Sequence, residues 1–264
     1  MTDSAPGAKV RLEVDGNVGV ITLESPPMNL FDRDMVTGLG DAVGELEGSS
    51  GVRALVVRAE GKVFTAGVNV HVFSGLSSSD AEEFAHQLLG LTRRMEELPF
   101  PTIACVHGLC LTAGFELSLA CDMIWASESA RFGLVEIVVG VSPFMGGTQR
   151  VAERAGPARA RELVMTGGLY DAATLERWNV VNRVVADDDL AEKTRRFAQR
   201  LADGPTLANN ATKRVVRAYL DGGVRGADER TPEIVAPLFD SEDLKAAVQT
   251  FLEKGPGNAT FEGR

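Results

Sequence analysis

Long apolar runs are the first thing this sequence lacks. None of its stretches reaches the length of a membrane-crossing helix. The opening MTDSAPGAKVRLEVDG carries no hydrophobic core of a secretion signal, so a cytoplasmic location is expected, with no membrane partner. Histidine is scarce. Only His71, His86 and His107 occur, which argues against a multi-histidine metal centre, and no metal is expected. Cysteine is scarce too. Cys105, Cys110 and Cys121 form an odd set without CxxC spacing, and read as buried free thiols rather than a disulfide frame. There is no glycine fingerprint of a dinucleotide fold after a strand, no P-loop and no GxSxG elbow. Positive charge is in deficit, 27 Lys and Arg against 37 Asp and Glu, for a net charge of −10. That balance argues against nucleic-acid partners and anionic membranes.

What is present suits a globular protein with a sizeable core. At 264 residues and 44% hydrophobic content, one large domain or one domain plus an appendage is expected. Val10–Val14 and Gly19–Leu23 alternate as a hairpin about Asp15-Gly16. Helical spacing marks Asp32–Leu46, and again Ser79–Leu98, where Ser79 and Glu82 suggest a capping box. Strands are expected at Ala54–Arg58, Thr102–Val106, Met123–Ala126, Ala130–Phe132 and Val181–Val185. A short helix should follow Gly114, with further helices at Gly146–Ala155 and Pro157–Thr166. From Leu190 onward the pattern is helical: Leu190–Ala202, Pro205–Leu220, Asp228–Phe239 and Ser241–Glu253. A β/α half followed by an all-helical end divides the chain into a core over 1–200 and a helical region over 201–264.

The stretch from Val106 to Arg150 holds two glutamates in apolar company. Glu116 follows the small-residue turn Thr112-Ala113-Gly114, and Glu136 stands between Leu134-Val135 and Ile137-Val138-Val139. A buried carboxylate is costly unless paired or protonated. Such burial raises its pKa and suits it to proton transfer near neutrality. Two of them read either as a divided acid/base pair or as structural carboxylates bonded to backbone or arginine. His107 reads as a bonded core histidine, since no nucleophile pattern accompanies it.

Three pieces of the chain resemble the crotonase, or enoyl-CoA hydratase/isomerase, superfamily: Phe64-Thr65-Ala66-Gly67-Val68-Asn69, Gly108 to Asp122, and Phe132 to Arg150 with its Gly147-Thr148-Gln149-Arg150 run. The likeness extends from about Val10 to Arg264. It implies an α/β fold, a crotonase-like spiral of ββα units in two roughly perpendicular sheets, with a C-terminal helical trimerisation region. Homotrimers, often paired into hexamers, are the implied assembly.

The resemblance also implies chemistry. The nearest type is the short-chain enoyl-CoA hydratase, which adds water across the 2,3 double bond of a 2-enoyl-CoA. The backbone N–H groups of Val68 and Ala113 would form the oxyanion hole, though each also reads as part of an ordinary tight turn. Glu136 would deliver a proton to the α-carbon and Glu116 would hold and activate water. The family's isomerases generally keep a carboxylate only at the Glu136 position, so both together point to hydration. Isomerisation, another crotonase reaction and a low-activity acyl-CoA-binding paralogue are the alternatives. No cofactor is implied, because coenzyme A belongs to the acyl-CoA thioester substrate. Backbone about Met28 and Ala66 would cup the adenine with Phe251. Lys62, His71 and the Lys254 of a neighbouring subunit would meet the phosphates, though Lys62 and Lys254 also read as solvated surface lysines. Several positions depart from the pattern, among them Val135, where proline is common, and Ala113, where many relatives carry glycine. His71 stands where relatives often carry lysine, and Phe144 where hydratases usually carry glycine. Phe144 either fills the pocket near the water site or points away into the core.

Overall fold

The structure, a computed structural model, describes residues 8–264, so the first seven residues of the expected 1–200 core lie outside it. The hairpin forms as β1 (Val10–Asp15) and β2 (Val18–Leu23), turning at Gly16. Helix α1 (Arg33–Glu47) is capped by the Asp32 carboxylate, which accepts from the Met35 N–H, and β3 (Ala54–Ala59) follows. A 3₁₀ turn, Val70–Phe73, precedes α2 (Ser78–Glu97). The chain then runs through β4 (Thr102–Val106), β5 (Leu109–Leu111), α3 (Ala113–Leu119), β6 (Met123–Ser127) and β7 (Arg131–Gly133). A second 3₁₀ turn, Glu136–Val139, leads to α4 (Gly147–Ala155) and α5 (Pro157–Thr166). Next come β8 (Tyr170–Asp171), α6 (Ala172–Arg177), β9 (Arg183–Val185) and α7 (Leu190–Ala202). Beyond these the regular elements among the described residues are all helical: α8 (Thr206–Val235), a 3₁₀ turn at Ala236–Asp240, and α9 (Glu242–Lys254).

One six-stranded sheet has the order β1-β2-β3-β4-β6-β9, with β1 antiparallel to β2 and every later pair parallel. Its central strands are apolar on both faces, as a parallel sheet covered on both sides requires. The larger core packs α1, α2 and α3 residues such as Leu39, Leu91 and Phe115 against one face. On the other face Trp125 of β6 stacks on Phe197 of α7 at 4.6 Å. A smaller sheet has the order β5-β7-β8. The turn at His107-Gly108 carries the chain from β4 into β5, out of the large sheet and into the small one. That step sets the site.

Several sequence expectations shift. The capping box of α2 is built by Ser77 and Asp80, two residues before the expected Ser79 and Glu82. Strands β5 and β8 carry no sequence signal, being three and two residues long. The expected helices 205–220 and 228–239 are one kinked element, broken only at Gly223 (φ 65°, ψ −167°), with the second ending in a 3₁₀ turn. His107 is hydrogen-bonded, to the Gly61 carbonyl at 3.0 Å, but it is half-buried and not a core residue. The three cysteines are buried and free, and no described helix is long and apolar enough to cross a membrane.

The end of the chain folds back on α9 and the core. Asp243, 8% exposed, accepts N–H bonds from Glu262 and Gly263, and its own N–H donates to the Arg264 carbonyl. Arg53 donates to the Phe261 and Gly204 carbonyls and to the Thr206 hydroxyl. Lys213 ties α8 to the core through Asp122 and the Phe100 carbonyl.

Candidate active site

Three segments converge at the end of β5. The first is the loop Thr65–Val68. Thr65 bridges Cys110, and the Leu111 N–H donates to the Thr65 carbonyl. The second is the continuation of β5 itself, through Thr112 into α3. The third leaves β7, which pairs with β5 in parallel register, Leu111 opposite Gly133, and runs on to Glu136. The Thr112 N–H donates to the Gly133 carbonyl at 2.9 Å and locks the last two together. Adjacent parallel strands thus deliver Ala113 and Glu136 to the same place.

Backbone conformation at these turns is unusual. Gly67 has φ 105°, and a Cβ there would lie 2.6 Å from the Thr112 hydroxyl oxygen, so a side chain is excluded. Thr112 is itself strained, with φ 46° and ψ −123° on a β-branched residue. The rotation at Thr112 sets the plane of the peptide that carries the Ala113 N–H. Ala113 opens α3, where first-turn N–H groups have no intrahelical acceptor. Neither the Ala113 nor the Val68 N–H forms a hydrogen bond among the described residues. Both residues line one pocket with Glu116, Glu136, Phe144 and Met145.

The two carboxylates are held differently. Glu116, 2% exposed, accepts from the Met145 and Gly147 N–H groups, each at 2.8 Å to the same oxygen. Gly147 must be glycine, since a Cβ would sit 2.7 Å from the Glu116 Cγ. Burial pushes Glu116 up to about 7, and the two N–H bonds and the Arg150 charge resist that rise. Glu136, 5% exposed, has no partner for either oxygen among the described residues. Burial first, and the neighbouring Glu116 charge second, push it up to about 8. One carboxylate is built to ionise first, and the other to keep its proton.

The remaining pocket wall is aromatic and apolar, with Phe31, Phe73, Phe84 and Leu88, plus the polar Asp32. Phe144 is half-buried, lines the pocket and also packs against the larger core. It stacks on Phe73 at 5.8 Å between centroids. The free volume is about 20 Å³, enough for a water molecule and too small for an acyl chain.

Other expected site residues are placed as follows. The Ala66 N–H donates to the Met28 carbonyl at 2.9 Å, so those two segments do meet. Asn29, which sequence reasoning gave no role of its own, fastens this corner by donating to the Glu60, Val63 and Phe64 carbonyls. Its φ of 48° suits asparagine. Lys62 and His71 are exposed. Phe251 and Lys254 are exposed on α9, which packs on the 3₁₀ turn Ala236–Asp240 and on the chain end and so stands apart from the pocket residues.

The enoyl-CoA hydratase/isomerase family model matches residues 13–264. A protein of Rhizobium meliloti named as a probable enoyl-CoA hydratase is 35% identical over 248 residues, 92% of this chain and 94% of its own. The short-chain-enoyl-CoA hydratase of Clostridium acetobutylicum is 30% identical over 249 residues, covering 93% and 95%. Among solved structures, an enoyl-CoA hydratase subunit of Geobacillus kaustophilus superposes with a TM-score of 0.91 at 35% identity, covering 97% of this chain and 98% of its own. With the family model spanning nearly the whole length, this chain belongs to the enoyl-CoA hydratase/isomerase family.

Proposed function

We propose that the protein hydrates a 2-enoyl-CoA thioester. The observation that carries this reading is the pair of buried glutamates lining one water-sized space beside two unpartnered backbone N–H groups. Water addition at the β-carbon builds negative charge on the thioester oxygen. The Val68 and Ala113 N–H groups stabilise that charge; the helix N-terminus at Ala113 adds to the effect. Glu116, ionised first, takes the proton of the attacking water. Glu136, still protonated, gives its proton to the α-carbon. The retained Glu116 favours hydration over double-bond isomerisation, which needs no held water.

Coenzyme A meets the corner formed by Met28 and Ala66, with Lys62 and His71 towards its phosphates. Phe251 and Lys254, standing apart from the pocket on α9, serve the site of a neighbouring subunit in a homotrimer or a hexamer of two trimers. The helical region 201–264 is the oligomerisation element, and the protein works in the cytoplasm without a separate cofactor. Phe144, stacked on Phe73, adds bulk to the pocket wall, and this supports a second reading, an acyl-CoA binder of low turnover. Loss of the conjugated absorbance of crotonyl-CoA and longer 2-enoyl-CoA thioesters decides between them. Turnover with any member supports the hydratase; tight binding without turnover supports the binder.

A further inference from the structure

We propose that Arg150 is a positioning residue for Glu116, acting through the Gly146–Gly147 peptide and held in place by Glu96. This rests on the assignment of Glu116 as the water-holding carboxylate. Arg150 is 7% exposed and does not itself line the pocket. Its Nη1 donates to the Met145 and Gly146 carbonyls at 3.1 and 3.3 Å. The Gly146 carbonyl belongs to the peptide whose N–H, on Gly147, donates to Glu116. A cation on one end of that peptide polarises it and strengthens the bond at the other end. The remaining fork of Arg150 is bidentate on Glu96 of α2, at 2.8 and 2.7 Å. Thr92, one turn before Glu96, donates to the same Met145 carbonyl at 3.1 Å. Arg217 of α8 reaches the same Glu96 Oε2 at 3.0 Å, so two ion pairs and one peptide separate α8 from Glu116.

The charged groups on this side are few. Glu136 faces Glu116 from the 3₁₀ turn, and Asp32 stands on the pocket wall. Behind Arg150 lie Glu96, the exposed Glu153 and the neighbouring Arg154 of α4, and Arg217. Glu96 is held ionised by Arg150 and Arg217 against the cost of its burial. Removing Arg150's charge therefore destabilises the Glu116 carboxylate, whereas removing Glu96's charge leaves Arg150 less neutralised and stabilises it.

The test is the pH dependence of kcat/KM for crotonyl-CoA in the full-length enzyme. Arg150→Gln should move the acidic limb up by about one pH unit and Glu96→Gln should move it down, while Arg150→Lys should restore the limb with kcat still reduced. A structural role alone would lower rates equally at every pH. If Arg150→Gln does not fold, Glu96→Gln decides alone, because a purely structural loss would not move the limb downward. In Glu116→Gln the limb should vanish; its persistence would overturn the assignment of Glu116 itself. A limb lost in Glu116→Gln but unmoved in the Arg150 and Glu96 variants would overturn the relay alone.

Discussion

At the scale of single residues, the site separates two chemically identical side chains by what surrounds them. Burial pushes Glu116 up to about 7 and Glu136 up to about 8, and Glu116 ionises first because two backbone N–H groups hold its charge while Glu136 has no partner among the described residues. The kcat/KM profile should be a bell with its limbs near those values, as properties of the pair. Glu136→Gln should abolish hydration and isomerisation alike, and Glu116→Gln should damage hydration more than isomerisation. Each loss should be about 10²–10⁴-fold; equal, small effects in stopped-flow assays would refute the division of labour. Both carboxylates hold a proton in the folded state at pH values where the unfolded chain has lost it. Their contribution to stability is therefore full below the unfolded value of about 4.5 and is lost as pH rises through the folded values. Glu136→Gln removes that loss, so its Tm should match the wild type near pH 5 and exceed it at pH 9 in calorimetric scans. Phe144 sets access. Phe144→Gly should raise kcat for crotonyl-CoA with thioester affinity little changed, if the Phe73 stack gates the pocket. A kcat that falls along with Tm would make Phe144 a packing residue, and the stability loss should stay below the ~3–5 kcal/mol of a fully buried aromatic.

At the scale of elements, the sequence was legible where periodicity ran long and silent where structure was short. Helices α1, α2 and α7 and strands β1 to β4 follow from apolar spacing over enough residues to count. The α2 cap was misplaced because Ser77, Ser78 and Ser79 are all competent, and only geometry chooses among them. Ser77→Ala should cost about 1 kcal/mol in urea unfolding, and Ser79→Ala a few tenths at most; the reverse order would restore the expected box. Both glutamates were visible as acids in apolar runs. Their convergence was not, because it depends on β7 pairing with β5, and β5 is a three-residue strand with no sequence signal. Thr112 escaped for a different reason. Its positive φ is imposed by the two segments it joins, against the preference of its own side chain.

At the scale of the whole molecule, an acidic protein binding an acidic thioester needs help from elsewhere. The described C-terminal helices leave Val216, Tyr219, Leu220 and Val224 exposed on α8, and Val248, Phe251 and Leu252 on α9. Apolar surface of that extent calls for a partner, and a second copy of the chain is the partner the proposed assembly supplies. Light scattering should report a mass of three or six chains; a stable monomer that still binds coenzyme A thioesters would refute this. Loss of assembly should also weaken thioester affinity, because Lys254 would no longer reach a neighbour.

The clip at the chain end bears on how this sequence is free to vary. Asp243 and Arg53 grip residues 261–264 through backbone N–H and carbonyl groups alone. The grip holds backbone groups and is blind to side-chain identity, apart from Gly263 with its φ of 82°. Substitutions at 261, 262 and 264 can drift without consequence for the clip. An insertion or deletion of one residue just before it would slide every bond out of register and leave a buried aspartate facing no donor.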